Sequence, residues 1–127
     1  MSQKRYKILL IDDDQDQIVL YQSKFELEGF EFFNSRFGNE GVTMAEKKQP
    51  DLILLDLILI QEDGQCILRE LKKNRMTKKI PVIILTNLAK KDLAERCAEL
   101  GAVDFIIKAQ TTPGEIVKKV KTILKSV

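Results

Sequence analysis

Five short apolar runs punctuate the chain: YKILLI (6–11), FEFF (30–33), DLILLD (51–56), PVIILT (81–86) and DFIIK (104–108). They are rich in Ile, Leu and Phe, and most lack polar alternation, the pattern of strands covered on both faces. Between them lie longer, charged segments with helical spacing. The first runs from about 15 to 28, with Asp14 as N-cap and Gly29 as its stop. The second covers about 40–48 and ends before Pro50. The third, about 64–74, places Ile67, Leu68 and Leu71 on one face, and the fourth, about 90–100, spaces Leu93, Cys97 and Leu100 before Gly101. The last, about 113–125, repeats Ile116, Val117, Val120, Ile123 and Leu124, with Thr112 as cap and Pro113 in the first turn.

Strand and helix alternate throughout, which predicts an α/β domain: a five-stranded parallel sheet with helices on both faces, joined by right-handed crossovers. The 127 residues fit one domain without repeat or linker. A formal net charge of +2 favours no class of partner. The chain has no histidine, which excludes a Ser-His triad and a histidine metal site. Cys66 and Cys97 lack metal or redox spacing and read as free thiols of a reducing cytoplasm. The longest apolar stretch, Leu52 to Ile60, is broken by Asp56, so no membrane span is expected, and the basic start MSQKRYK leads into too short an apolar run for a signal peptide.

In parallel α/β sheets ligands sit at the carboxyl ends of the strands. The polar residues there are Asp12, Asp13, Asp14, Asp56, Thr86 and Lys108. Neighbouring carboxylates disfavour one another's ionisation. A hard divalent cation relieves that repulsion, and Mg²⁺ suits carboxylates best because it keeps waters and leaves room for phosphate oxygens. Asp56, alone among apolar residues, is the natural nucleophile, since a carboxylate can accept a phosphoryl group. Thr86 could then hydrogen-bond a phosphoryl oxygen and Lys108 neutralise another. Asp14 is most simply the helix cap.

With KILLIDDD, PDLILLDLILIQEDG, PVIILTN and GAVDFIIK spaced in this way, the whole chain resembles the response-regulator receiver domain of two-component signalling. The resemblance implies a flavodoxin-like fold with strand order 2-1-3-4-5 and one receiver domain over residues 1–127. With Met1 just before the first strand and Val127 just after the fifth helix, no output domain is expected, and the start MSQKRYK favours a stand-alone regulator over a domain cut from a longer chain. The resemblance also implies Mg²⁺ held by Asp12, Asp13, Asp56 and the main-chain carbonyl of Ile58. Asp56 would be the phospho-acceptor, Thr86 and Lys108 its partners, and Thr86 and Phe105 the switch pair. A histidine kinase or phosphotransfer protein would donate the phosphoryl group. An output protein would read the surface of the fourth helix, fifth strand and fifth helix, with a phosphorylation-dependent dimer as a further outcome. Such a protein assists its own phosphorylation and dephosphorylation and is not an enzyme. The alternative is an interaction module that keeps the fold without being phosphorylated. A nucleotide or flavin binder is disfavoured, because no Gly-rich loop follows the first strand. Lys118, Lys119, Lys121 and Lys125 read as the solvated face of the last helix, and no nucleic-acid partner is expected.

Four positions depart from the family pattern. Leu59 is followed by Ile60 and Gln61 instead of Pro-Gly, although Gly64 is retained; Asn87 follows Thr86 where alanine is usual; and Ala109 replaces the proline after Lys108. A non-proline cis bond costs about 3 kcal/mol, so the Lys108–Ala109 bond is expected to be trans.

Overall fold

All five expected strands form, and they pair in parallel in a single sheet. The structure, a computed structural model, describes residues 5–125. The expectation of a stand-alone domain, drawn from the start MSQKRYK, rests largely on residues outside that range. The sheet strands are β1 (Lys7–Ile11), β2 (Glu31–Ser35), β3 (Leu52–Leu55), β4 (Val82–Thr86) and β5 (Asp104–Ile107). The helices are α1 (Gln15–Leu27), α2 (Gly38–Lys48), α3 (Gly64–Lys73), α4 (Leu93–Glu99) and α5 (Pro113–Lys125). The strand order is β2-β1-β3-β4-β5, the flavodoxin-like topology expected.

Side chains along a strand point alternately to opposite faces, and here both faces are covered. Ile8, Leu10, Leu52, Leu54, Ile83, Leu85 and Ile106 pack against α1 and α5. Leu9, Ile11, Ile53, Leu55, Val82 and Ile84 pack against α2, α3 and α4. This two-sided burial explains why the strands read as unbroken apolar runs.

Helix ends follow local chemistry. Asp14 accepts from the N–H groups of Asp16 and Gln17, capping α1. Thr112 and Glu115 form a reciprocal capping box at α5: Glu115 N–H donates to Thr112 Oγ1 and Thr112 N–H to Glu115 Oε1. Gly29 and Gly101 adopt φ of +90° and +108° just beyond α1 and α4, a conformation open to glycine.

Two boundaries differ from expectation. The fourth helix begins at Leu93 rather than Lys90, because Asp92 takes a left-handed φ of 67° and the chain turns there. The second begins at Gly38 rather than Glu40. Phe37 supplies no side-chain cap, but the Glu62 carboxylate accepts from Gly38 N–H at 2.7 Å and Asn39 N–H at 2.9 Å. Glu62 belongs to an unanticipated hairpin in which Ile58–Leu59 pairs antiparallel with Glu62–Asp63. Gln61 turns it with φ of 60°. The Lys108–Ala109 bond is trans, as expected.

Candidate functional site

Register brings the acidic strand ends together. Ile11 of β1 lies opposite Leu55 of β3, so Asp12 and Asp56 emerge side by side, one residue beyond. Their backbones stay in the ladder: Asp12 N–H donates to Ser35 O and Asp56 N–H to Ile11 O, both at 3.0 Å. Both side chains are buried, with residue exposures of 0% for Asp12 and 6% for Asp56.

The positive group that such a pair requires is Lys108. Its Nζ lies 2.5 Å from Asp12 Oδ2 and 2.8 Å from Asp56 Oδ2, and its own side chain is only 7% exposed. The remaining carboxylate oxygens are held by the backbone. Asp14 N–H donates to Asp12 Oδ1 at 3.0 Å, and Ile58 N–H to Asp56 Oδ1 at 3.1 Å. Burial pushes the Asp12 carboxyl above its ordinary value, with the Lys108 hydrogen bond pulling against it. Burial alone would lower the Lys108 ammonium, but its bonds to Asp12 and Asp56 outweigh that and hold it above its ordinary value.

The other expected residues are placed as follows. Thr86 ends β4 fully buried, and its Oγ1 accepts from Leu88 N–H at 3.2 Å. Phe105 on β5 is half-buried against the core beneath α4 and borders a cleft of about 210 Å³ with Ala94, Cys97 and Ala98. Asp13 is half-buried and takes no part in the Lys108 bridge. Ile58 lies in the hairpin, its N–H turned to Asp56. Asp12, Asp56 and Lys108 therefore meet directly, while Thr86 and Phe105 stand on the two neighbouring strands.

Gly64 keeps the loop after Asp56 tight. A Cβ there would lie 2.6 Å from the Asp56 carbonyl oxygen and closer still to the backbone of Leu57. That neighbour is main chain, which no side-chain rotation relieves. Two contacts had no sequence signal: the Glu62 cap on α2, and the Ala109 N–H donating to Asn87 Oδ1 at 2.8 Å.

The donor chemistry fits a hard cation. Among the described residues no three acidic, cysteine or histidine side chains are gathered closely enough to hold a metal by themselves. Mg²⁺ does not need such a cage, since it is usually held by one or two carboxylates with waters and phosphate oxygens. Two buried carboxylates against one ammonium leave a surplus of negative charge, before the nearby Asp13 is counted.

The fold has counterparts among known proteins. Residues 8–121 match the family model of the response regulator receiver domain. The alkaline phosphatase synthesis transcriptional regulatory protein PhoP of Bacillus subtilis is 33% identical over 121 residues, covering 94% of this chain and 48% of that protein. This chain thus spans about half the length of the curated relatives it matches. A CheY-like receiver domain protein of Methanospirillum hungatei superposes with a TM-score of 0.89 at 25% identity, covering 97% of this chain and 96% of that one. The phosphorylated cyanobacterial phytochrome response regulator RcpA superposes with a TM-score of 0.76 at 30% identity, covering 94% of this chain and 91% of that one. Among the described residues no helix is long and apolar enough to cross a membrane. With the doubly covered parallel sheet and the family match over most of its length, this chain belongs to the response regulator receiver domain family of two-component signalling.

Proposed function

We propose that Asp56 accepts a phosphoryl group from a phosphohistidine on a histidine kinase or phosphotransfer protein, and that the modification switches a protein-binding surface. The observation that carries this reading is the buried Asp56 carboxylate, paired with Lys108 beside Asp12. A carboxylate oxygen of Asp56 attacks phosphorus, the P–N bond breaks, and the imidazole nitrogen leaves with its electron pair, giving an acyl phosphate. Lys108, already on Oδ2, stays within reach of the new phosphoryl oxygens and balances their charge. Asp12, Asp13, Asp56 and the Ile58 carbonyl would hold Mg²⁺, which when bound neutralises charge on the transferring group. The existence of a phosphorylated receiver among the similar structures supports the reading. No external metabolite is turned over.

The switch begins at Thr86. Its hydroxyl oxygen now serves Leu88 N–H, and a phosphoryl group on Asp56 offers the hydroxyl a charged acceptor instead. Phe105 lies on the strand next to Thr86 and borders the cleft under α4, which gives it room to follow. Thr86→Ala is therefore expected to accept phosphate at Asp56 while losing most of the phosphorylation-induced NMR shifts around Phe105. Shifts as large as those of wild type would show that Thr86 does not couple the two.

The test of the reading as a whole is incubation with acetyl phosphate and Mg²⁺, followed by intact mass measurement. One added phosphoryl group is expected. Asp13→Ala should weaken Mg²⁺ binding about tenfold or more, a scale that even changes outside the ligand shell can reach. It should slow phosphoryl uptake accordingly. An unchanged Mg²⁺ titration would remove Asp13 from the metal site.

A further inference from the structure

Two of the positions that depart from the family pattern are bonded to each other. The Ala109 N–H donates to Asn87 Oδ1 at 2.8 Å. The bond needs both departures, since proline at 109 has no N–H to give and alanine at 87 has no side-chain acceptor. Asn87 lies between Thr86 and Leu88, which are tied to each other through Thr86 Oγ1. Ala109 is the middle residue of a single 3₁₀ turn, Lys108–Gln110, that follows β5 directly. The bond therefore crosses from the loop after β4 to the turn after β5, joining the immediate neighbours of two pocket residues.

Beyond the Asn87 bond and the Lys108 ammonium at its start, that turn is held by few bonds, from its own backbone and Thr111. Ala109 and Gln110 are exposed, and the turn is closed by a 3.3 Å bond from Thr111 N–H to Lys108 O and by Thr111 Oγ1 on Ile107 O. Yet Lys108 has to place one ammonium on two carboxylates at 2.5 and 2.8 Å, a geometry that small rotations of the turn would spoil. We infer that Asn87 is a positioning residue: through Ala109 it fixes the Lys108 turn against the end of β4, so that Lys108 and Thr86 approach the Asp56 phosphoryl group as one unit. The inference rests on Asp56 being the acceptor. It adds a device that neither departure would reveal alone.

The experiment measures the rate of phosphoryl uptake from acetyl phosphate with Mg²⁺, and amide exchange at Ala109, at a temperature where every variant is folded. Asn87→Ala should slow uptake roughly three- to tenfold, the size one net hydrogen bond allows. It should also remove protection of the Ala109 amide. Asn87→Asp, which keeps an oxygen at the same reach, should retain that protection. Ala109→Pro removes the same bond, so the double variant should be no slower than the slower single one. A merely structural contact would lower thermal stability and leave the uptake rate unchanged. An Asn87→Ala rate equal to wild type, losses that multiply in the double variant, or loss of amide protection in Asn87→Asp would each overturn the inference. Failure of wild type to take up phosphate would instead overturn the acceptor assignment.

Discussion

Asp56→Asn is expected to take up no phosphoryl group from acetyl phosphate and Mg²⁺ under conditions that fully modify wild type. The amide is uncharged, and its oxygen is a poor nucleophile towards phosphorus. Loss of labelling in this variant is to be separated from unfolding. Asp12 and Asp56 share one counter-ion, so making one of them neutral relieves repulsion while Lys108 keeps Asp12 as a partner. The amide substitution should therefore leave the protein at least as stable as wild type in denaturant titrations. Intact mass and peptide mapping read the first outcome, and the unfolding midpoint reads the second. Labelling of Asp56→Asn at the wild-type level would move the acceptor elsewhere, with Asp12 and Asp13 the nearest carboxylates to examine.

Lys108→Ala is expected to be the most destabilising change at the site. It strands two carboxylates whose residues are 0% and 6% exposed. Removing one partner from a buried ion pair costs about 3–5 kcal/mol, a large share of the ~5–15 kcal/mol that holds a domain folded. The melting temperature should fall by roughly 10–20 °C. The pH dependence has a definite sign. Lys108 is held above its ordinary 10.5, so its contribution is complete below that value and is lost only as pH rises through the higher folded value. Asp12 is raised above 3.8, chiefly by burial, so its proton stabilises the fold at low pH and that contribution is lost as pH rises through the raised folded value. The deficit of Lys108→Ala relative to wild type should thus narrow as pH falls and Asp12 takes up a proton, and again on adding Asp12→Asn. Wild-type stability in the alanine variant at neutral pH would mean that the carboxylates are balanced by another group.

Much of this molecule is legible in its sequence, and the reason is physical. The strands are buried on both faces, so their composition announces them without reference to any partner. The caps at Asp14 and Thr112 act on N–H groups two and three residues away, within reach of local pattern. Candidate chemistry was legible as well, because a parallel sheet delivers every strand's carboxyl end to one edge. Asp12, Asp56, Thr86 and Lys108 could be named before any of them was located.

What the sequence determined by itself is thus the class of fold, the order of its elements and the residues at the strand ends. The tertiary structure decided how those residues are paired. Lys108 bridges carboxylates 96 and 52 residues away, and nothing local shows that it serves both. Glu62 caps a helix that begins 24 residues earlier, which moves that helix's start to Gly38. Asn87 and Ala109, 22 residues apart, look like unrelated departures until their loops are brought together. Local hydrogen bonds are set by residues within a turn of one another. These contacts depend on which strand ends lie adjacent and on the register between them, and only the assembled sheet supplies both.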